Sequence, residues 1–399
     1  MTGSKITPSL EQSIEKLGNG RVIQLASGES IFKLDSYPEN PVVKPEDIGL
    51  TWEADKELQI GAVFNPGAEV FKDKVIILPR CHKNYTRIKY FDTKLNRERY
   101  RPDENYISEI WPLISEDGLK FERLKNTVIR GDGTDHQDFI YGIEDIRIIK
   151  YNQKYLLIGC GKTKPPFTTG GNTDRVAVYS TKDFANITYH GMIGSFDSRN
   201  AIPFLVNEKW YIFLRFHPDI HLALLEEGIE QLLNPSRYVK YWEKIYEQRK
   251  ENLFLEAGKY PHEQEKIGPA NPLINTDRGF LFIYHAVGKI GSDIAREYGL
   301  REPIERGYSI CASLLDPENP KKVLSRTKNP IFIPAKPYEL YGNNQYAVDV
   351  PAVIFPVGAI VRNGKLLLYC GAGDKYITLL SCSLNNLVNY LFENCRISQ

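Results

Sequence analysis

One pattern recurs five times along the chain: an apolar run, a short polar turn, and a second apolar or aromatic run. Turn sequences such as Lys72-Asp73, Asn207-Glu208 and Asn363-Gly364 lie at the centres of these copies, flanked by β-branched and aromatic residues. Such turns between apolar runs are typical of β-hairpins. The five predicted hairpins cover residues 68–80, 146–161, 200–216, 271–287 and 352–373.

Each of these hairpins is followed by a further strand-like segment, for example RVAVYST, YSICASLLD or YITLLSCSL. The repeated unit is therefore a sheet of three or four strands, and sheets of this size repeated around an axis make a β-propeller. We predict an all-β fold, a five-bladed β-propeller over residues 51–399 that carries the active site, preceded by an N-terminal extension over residues 1–50. Two β-sandwich domains would need a linker near the middle, and the sequence has no such stretch.

Two segments have helical rather than strand-like spacing. EQSIEKLGN predicts a helix in the N-terminal extension, and a helical insertion between blades is predicted over about 224–264. The insertion carries Tyr238, Tyr241, Trp242 and Tyr246 close to one helical face. That spacing favours packing against the propeller. A lid over the site or an oligomer contact is the alternative, so a homo-oligomer stays open.

Composition excludes several classes of partner. The 399 residues include 51 basic and 50 acidic ones, a net charge of +1 that offers no field for nucleic acid or an anionic membrane. No apolar run approaches the length of about 20 residues that spans a bilayer, and the N-terminal residues lack the apolar core of a secretory signal, which predicts a cytoplasmic protein. The six cysteines are scattered without zinc spacing, so we predict buried free thiols and no metal site.

Chemistry in a propeller is expected where the inner strands converge. Arginines inside apolar strands are costly unless they are paired or face a ligand, so Arg199 and Arg215 point to an anionic partner. Structural salt bridges to Glu144, Asp145 or Asp374 are the alternative. The polar residues near the strand ends are Asn65, Arg80, Glu144, Asp145, Arg147, Ser198, Arg199, Asn200, Arg215, Lys266, Asn271, Tyr284, His285 and Asp374.

Several motifs in order carry a resemblance to a known family. FNPGA and ILPR are followed by GIEDIRI, SRNAIPF, EKIGPANPLINTDRGFLFIYHAV and a closing segment that contains GAGD. Together they resemble glycoside hydrolase family 130, the β-mannoside phosphorylases and related mannosidases, from about Phe64 to Leu391. The resemblance implies a five-bladed propeller, in agreement with the hairpin count.

The resemblance also implies roles for individual residues. Asp145 is the implied general acid, which passes its proton through a sugar hydroxyl, and Arg147 belongs to the same signature. Strand alternation sends Asp145 and Arg147 to one face and Glu144 to the other, where Glu144 is structural. The implied phosphate-binding residues are Arg199, Asn200, Arg215, Lys266 and His285. Asn65, Arg80 and Asp374 match positions around the sugar, and Tyr284 is assigned to substrate binding together with Arg147.

The implied reaction is inverting phosphorolysis of a β-mannoside to α-mannose 1-phosphate and a shorter acceptor. Phosphate is the co-substrate, and no metal or other cofactor is expected. Because phosphate is already anionic, the protein needs a cationic cradle in place of a catalytic base. An inverting β-mannosidase and a non-catalytic sugar-binding propeller are the alternatives. The acceptor sugar and its linkage are not specified by the sequence.

Overall fold

Five antiparallel sheets of four or five strands follow one another along the chain. In this computed structural model, which describes residues 9–54, 56–93, 96–125, 127–131, 139–164 and 174–397, the sheets stand around one axis. The inner strand of each sheet contacts the next blade, and the inner strand of the fifth sheet contacts that of the first. The predicted five-bladed β-propeller is confirmed.

The strands before the first blade are short. They are β1 (Arg21–Gln24), β2 (Ser30–Lys33), β3 (Asp35–Ser36), β4 (Thr51–Ala54) and β5 (Glu57–Ile60). The first blade comprises β6 (Ala62–Phe71), β7 (Lys74–His82), β10 (Ser108–Ile110), β11 (Leu113–Ser115) and β12 (Glu122–Arg123). Between β7 and β10, the strands β8 (Arg87–Asp92) and β9 (Arg97–Pro102) form a separate hairpin outside the blade.

The next four blades repeat this plan. The second contains β13 (Ile143–Tyr151), β14 (Lys154–Lys162), β15 (Asp174–Thr181) and β16 (Ile187–Ile193). The third contains β17 (Arg199–Val206), β18 (Lys209–Phe216), β19 (Asp219–Leu225) and β20 (Leu253–Leu255). The fourth contains β21 (Lys266–Pro269), β22 (Ile274–Thr276), β23 (Gly279–Ile290), β24 (Ile304–Leu315) and β25 (Val323–Arg326). The fifth contains β26 (Ile354–Arg362), β27 (Lys365–Ala372), β28 (Tyr376–Ser383) and β3.

The hairpin turns have the backbone that their sequences predict. Lys72 and Asp73, Asn207 and Glu208, and Asn363 and Gly364 all have positive φ. Two consecutive positive φ values are the signature of the tight turn whose twist matches paired strands. The predicted turns thus set the register of the inner two strands of three blades.

Helices cover the outside of the propeller. They are α1 (Leu10–Glu15), α2 (Glu230–Leu233), α3 (Val239–Glu247), α4 (Ser292–Glu297) and α5 (Leu384–Asn394), with 3-10 turns at Pro45–Ile48, Pro235–Tyr238 and Pro261–Glu263. The predicted N-terminal helix is confirmed as α1, which begins at a capping box of Ser9 and Gln12. Among the described residues, no helix has the length and apolar character that crossing a membrane requires.

The N-terminal segment is part of the propeller. Strand β3 pairs with β28 as the outermost strand of the fifth blade, and Val43 bridges to Ile377. Phe32 and Leu34 are buried in the same hydrophobic cluster as Leu380 and Leu387. The segment that we predict as an extension over 1–50 therefore completes the last blade with a strand from the start of the chain, which closes the ring.

The helical insertion lies inside the third blade, and our prediction of an insertion between blades was wrong in this respect. It connects β19 to β20, the short outer strand of that blade, because residues 253–255 return to pair with β19. Trp242 is buried against the second and third blades, and Tyr246 stacks on Phe196. The insertion packs against the propeller, as its aromatic spacing predicts.

The six cysteines are all buried and free, as predicted. Cys81, Cys160, Cys311, Cys370 and Cys382 lie within blade strands, and Cys395 follows α5. Burial raises the pKa of every one of these thiols, so each behaves as a small apolar side chain.

Candidate active site

The inner strands converge on a polar cavity at one end of the propeller axis. It encloses about 460 Å³ of empty space, its open mouth included. All five blades contribute to its walls: the lining residues are Asn65, Arg80, Asp145, Arg199, Asn200, Arg215, Lys266, His285, Tyr308, Val350, Val353, Phe355 and Asp374. Four cationic side chains and two carboxylates therefore face one small space.

A repeated β-bulge presents three of these residues. Strands β6, β13 and β17 each shift register near their first residues, after Phe64, Glu144 and Arg199. The residue that follows has a left-handed backbone in every case: Asn65 at φ 50°, Asp145 at 51° and Asn200 at 58°. Asparagine and aspartate tolerate this conformation better than other non-glycine residues. The bulge therefore turns an equivalent side chain from each of three blades into the cavity.

The same bulge overturns our assignment of faces by strand alternation. Because the bulge interrupts the period of two, Glu144 lies beside Asp145 instead of across the sheet from it. Arg199 Nη2 donates to both Glu144 Oε2 and Asp145 Oδ2 at 2.9 Å. The second oxygen of Glu144 contacts Arg80 Nη2 at 2.9 Å. Glu144 is thus a structural residue, as proposed, but one that holds together two cations of the cavity wall.

Asp145 is buried and surrounded by hydrogen-bond donors. Asn65 Nδ2 donates to Asp145 Oδ1 at 2.9 Å, and Arg199 donates to the other oxygen. Burial by itself raises the pKa of Asp145, but the charges of Arg199, Arg80 and Arg147 outweigh burial and bring the pKa below its usual value. Asp145 is therefore ionised at neutral pH.

Arg199 and Arg215 differ in their surroundings, although the sequence pattern gives the same prediction for both. Arg199 forms ion pairs with Glu144, Asp145 and, at 3.3 Å, Asp174. The structural alternative thus applies to Arg199. The guanidinium of Arg215 makes no hydrogen bond or ion pair with any residue that the structure describes, and its Nε is buried without a partner. Burial and the charge of Arg199 lower the pKa of Arg215, although the carboxylates of Asp174 and Asp197 oppose this shift.

Three polar groups lie around Arg215. Lys266 Nζ lies 5.2 Å from the ring centre of Tyr308. Burial and the charges of Arg215 and Lys266 hold the pKa of His285 well below its ordinary value, so its ring is neutral and offers one N–H donor. The side-chain oxygen of Asn200 accepts no hydrogen bond from the part of the chain that the structure describes. A buried cation without a counter-ion is costly, and an incoming anion relieves that cost.

The opposite wall contains Arg80 and Asp374. Arg80 Nε donates to His82 Nε2 at 2.8 Å, and the His82 ring stacks on Tyr106 at 3.7 Å. His82 is therefore a buried support that fixes the direction of Arg80. Asp374 has a left-handed backbone at φ 51°. Burial raises the pKa of Asp374 to about 7, although Arg80 opposes this shift.

The sequence of this chain matches a known enzyme family over most of its length. The profile of glycoside hydrolase family 130, described as beta-1,4-mannooligosaccharide phosphorylase, matches residues 35–393. The chain belongs to glycoside hydrolase family 130. Its match includes strand β3 and all five blades. Membership makes the chain an enzyme of the β-mannoside phosphorylase family.

Individual relatives of this family 130 enzyme are distant but cover it well. A beta-1,2-mannobiose phosphorylase of Thermoanaerobacter sp. (strain X514) is 26% identical over 353 residues, which are 87% of this chain and 96% of the relative. The structure of a beta-1,2-mannobiose phosphorylase from Listeria innocua, in complex with beta-1,2-mannobiose, has a TM-score of 0.64 at 21% identity over 90% of this chain and 99% of that one. A structure from work on family 130 glycoside hydrolases that target beta-1,2 mannosidic linkages in Candida mannan has a TM-score of 0.62 at 16% identity, over 88% of this chain and 94% of that one.

Two residues predicted to bind substrate do not reach the cavity of the family 130 enzyme. Arg147 is fully buried and donates to the carbonyl oxygens of Asp145, Pro269 and Ala270. Arg147 therefore ties the bulge of β13 to the fourth blade. Tyr284 points to the other face of β23 from His285, where its hydroxyl donates to Glu263 and accepts from Arg326. The physical reason is strand alternation, which separates adjacent residues of β23.

A cluster of potential metal ligands lies in the fourth blade, away from the cavity. Ligand atoms of His262, Glu263 and Cys311 lie within 4.8 Å of one another, a proximity that the sequence spacing did not predict. Glu263 already pairs with Arg326 at 2.7 Å and accepts a hydrogen bond from Tyr284. The arrangement is a neutralised structural network separate from the cavity.

Sequence analysis did not identify four residues of the cavity wall: Tyr308, Val350, Val353 and Phe355. Tyr308 lies on β24, the strand next to β23, and the charges of Lys266 and Arg306 outweigh burial and lower the pKa of its hydroxyl. The other three lie within or after the long connection from β25 to β26. Of these four residues, only Tyr308 could have been identified from the sequence, because it has a polar hydroxyl group. In a sequence, an apolar residue that lines a site cannot be distinguished from one that lies in the core.

Proposed function

We propose that this family 130 enzyme is an inverting β-mannoside phosphorylase. It cleaves a β-mannosidic bond with inorganic phosphate and releases α-mannose 1-phosphate and a shorter acceptor. The observation that carries the proposal is Arg215, a buried guanidinium that makes no ion pair with any residue that the structure describes, in a cavity that also contains Lys266, His285 and Asn200. Such a cradle suits a phosphate anion, which forms charge-assisted hydrogen bonds with guanidinium and ammonium groups.

In the proposed reaction, one group of cavity residues binds phosphate and another binds the mannosyl unit. A phosphate oxygen held by Arg215 attacks the anomeric carbon, and the bond from that carbon to the glycosidic oxygen breaks. The departing oxygen receives a proton whose source is Asp145, as family resemblance implies. No base is needed, because phosphate is already a nucleophilic anion. Arg80, Asn65 and Asp374 hold the mannosyl hydroxyl groups.

Phosphate also prepares the acid in this proposal. Arg199 keeps the pKa of Asp145 low while the cavity lacks an anion. A phosphate dianion beside Arg199 and Arg215 offsets their positive charge and raises the pKa of Asp145. The acid therefore gains its proton most readily when the nucleophile is already bound.

The test is synthesis in the reverse direction. α-Mannose 1-phosphate is incubated with mannose, glucose, N-acetylglucosamine and manno-oligosaccharides, and the release of inorganic phosphate is measured. Because named relatives act on β-1,2 linkages, β-1,2-linked products are sought first by NMR. We expect phosphate release with at least one acceptor and a new bond of β-configuration, formed by inversion from the α-configured phosphate donor. Absence of release across all acceptors overturns the proposal.

Hydrolysis is the second candidate, and Asp374 is the observation that favours it. Asp374 lines the same cavity as Asp145 and has a pKa of about 7, which suits a general base that activates water. Inverting hydrolysis requires two such carboxyl groups. Cleavage of β-mannosides at full rate in phosphate-free buffer would establish this activity instead.

A further inference from the structure

A second groove lies beside the catalytic cavity. The β8–β9 hairpin forms one side, with Arg87, Glu98, Arg99 and Tyr100, and the long connection between β25 and β26 forms the other. It encloses about 830 Å³ of empty space, its open side included, which is larger than the cavity. The hairpin belongs to no blade, so the propeller does not require it for its own sheet pairing.

The groove and the cavity share a wall. Val350 lines the cavity and Pro351 lines the groove. The preceding residue, Asp349, is buried and pairs with Arg87 of the hairpin at 2.7 Å. The wall is fixed on both sides, because the backbone N–H groups of Asp349 and Val350 donate to the carbonyl oxygen of Gly373, next to Asp374.

Tyr85 and Lys375 complete this shared wall. The Tyr85 hydroxyl donates to Asp349 Oδ2 at 2.6 Å and accepts from Lys375 Nζ at 2.8 Å. Lys375 has no exposed side-chain surface and follows Asp374 directly in the sequence. A buried ionic network thus holds the base of the hairpin in a fixed position against the cavity.

Aromatic side chains give the groove its chemical character. Tyr100 is 51% exposed and Tyr341 is 36% exposed, and both line the groove. Tyr346 lines it as well and packs edge-on against Tyr338 and Tyr376. Exposed aromatic rings flanked by arginine and glutamate offer a flat apolar face with polar groups at its rim. A pyranose ring presents the matching surface, with C–H groups on its face and hydroxyl groups at its edge.

We infer that this groove binds the acceptor end of an oligosaccharide whose terminal mannosyl unit lies in the catalytic cavity. The preferred substrates are then chains of three or more sugar units, and a disaccharide uses only part of the available surface. Successive residues line the two sites, Val350 the cavity and Pro351 the groove, and this adjacency is the reason to assign a single ligand to both. The inference rests on the proposed substrate class, β-mannosides, but not on whether phosphate or water attacks.

The experiment compares chain lengths in variants of the groove. Initial rates are measured with β-1,2- and β-1,4-linked manno-oligosaccharides of two to five units, for the wild type, Tyr100→Ala and Tyr341→Ala. We expect kcat/KM for chains of three or more units to fall about tenfold in each variant. The value for the disaccharide should fall by a smaller factor, because a disaccharide uses only part of the groove. Both tyrosines are exposed, so neither substitution opens the core.

Phe91→Ala is the matched control. Phe91 is 56% exposed on the same hairpin but does not line the groove. We expect this variant to keep the wild-type dependence on chain length. The inference would be overturned if kcat/KM fell equally in Phe91→Ala and Tyr100→Ala, or if it fell equally for the disaccharide and for longer chains. In either case the effect would come from the hairpin or from the fold as a whole.

Binding separates this inference from the proposed function. The affinity of the same oligosaccharides for the Asp145→Asn protein is measured by calorimetry, with and without Tyr100→Ala. Tighter binding of longer chains that Tyr100→Ala abolishes supports the groove even if reverse synthesis fails and the enzyme proves to be a hydrolase. Affinity that does not change beyond two units overturns the groove and leaves phosphorolysis unaffected.

Discussion

Asp145 and Asp374 line one cavity but have pKa values perturbed in opposite directions. Arginines around Asp145 bring its pKa below the usual value, whereas burial raises that of Asp374 to about 7. Pairs of carboxyl groups separated in this way are typical of active sites that use one as an acid and the other in a different role. In our proposal, Asp145 gains its proton when phosphate arrives, and Asp374 binds sugar hydroxyls.

Replacement of the acid tests the first of these roles. Asp145→Asn keeps the side-chain volume, and we expect it to lower kcat on manno-oligosaccharides by about 10² to 10⁴-fold, the usual contribution of general acid catalysis. The loss should be much smaller for 4-nitrophenyl β-mannoside, because nitrophenolate departs without a proton. Steady-state kinetics on both substrates provide the measurement.

Asp277→Asn, in an exposed turn, is the control and should match the wild type. If kcat of the Asp145→Asn enzyme falls by the same factor for both substrates, the residue does not act as the proton source. Activity within about tenfold of the wild type on manno-oligosaccharides would contradict the assignment altogether.

Asp374 makes stability depend on pH. Its pKa is raised from 3.8 to about 7 in the folded protein, so the folded state binds a proton more tightly than the unfolded state between these values. Stability from this group is therefore present below about pH 4 and is lost as the pH rises towards 7. Asp374→Asn mimics the protonated form and should raise the melting temperature by a few degrees at pH 8 but hardly at all at pH 4.

Thermal melts of Asp374→Asn and the wild type at the two pH values give the comparison, with Asp277→Asn as the reference for a solvated carboxylate. A variant that is less stable than the wild type at pH 8 would show that the ionised carboxylate is favourably paired. Activity is expected to fall in either case, because the residue faces the mannosyl unit in our proposal.

At the scale of elements, inner strands of neighbouring blades touch through their backbones. A Cβ atom on Gly67 of β6 would lie 2.2 Å from the carbonyl oxygen of Ile146 on β13, the residue after Asp145. Gly67→Ala should therefore push β13 outward and cost about 1–3 kcal/mol of folding free energy. We expect kcat to fall as well, because the bulge that aims Asp145 is displaced.

Urea denaturation and kinetics measure the two effects of Gly67→Ala. Gly291→Ala is the control, since its Cβ would meet no atom within 4 Å and its backbone is extended. A Gly67→Ala enzyme with unchanged stability and turnover would mean that the two strands separate without consequence for Asp145.

Elements also show how far the sequence predicts the structure. Five hairpins and their turns follow from apolar runs and turn residues such as Asn363-Gly364, because these signals are local. The sheet faces on which Glu144 and Arg147 lie cannot be predicted in this way. The β-bulge in β13 inserts an extra residue that breaks the alternation of faces, and its formation depends on the neighbouring blade. Likewise β3 pairs with β28 across more than 340 residues of sequence, and no local pattern specifies that partner. Arg199 forms ion pairs with residues of the second blade, Glu144, Asp145 and Asp174, whereas Arg215 forms none with the residues that the structure describes. This difference depends on how neighbouring blades meet, which the sequence does not specify.

At the scale of the whole molecule, the ring brings residues from distant parts of the sequence into one cavity. Asn65 and Asp374 come from the first and last blades, whose inner strands meet, and β3 covers the outer edge of the last sheet. The edge of that sheet is then β3, a strand of only two residues, and such short edge strands limit pairing with other chains. Closure of the ring also means that a ligand held by several blades stabilises the entire ring.

Phosphate binding should therefore be visible in global stability. A ligand that binds only the folded state at 100 times its Kd adds about 2.7 kcal/mol to the free energy of unfolding. We expect the melting temperature of the wild type to rise with phosphate concentration. In Arg215→Ala the rise should vanish, because the guanidinium that receives the anion in our proposal is gone. Arg237→Ala, an exposed arginine of the insertion, should respond like the wild type.

Calorimetry over a series of phosphate concentrations, with chloride at matched ionic strength as the reference, measures this response. Arg215→Ala without phosphate should be no less stable than the wild type, because the substitution removes a buried charge that makes no ion pair with any described residue. A phosphate-dependent rise that persists in Arg215→Ala would place the anion elsewhere. A wild type that does not respond to phosphate would favour hydrolysis, with Asp374 as the base that activates water.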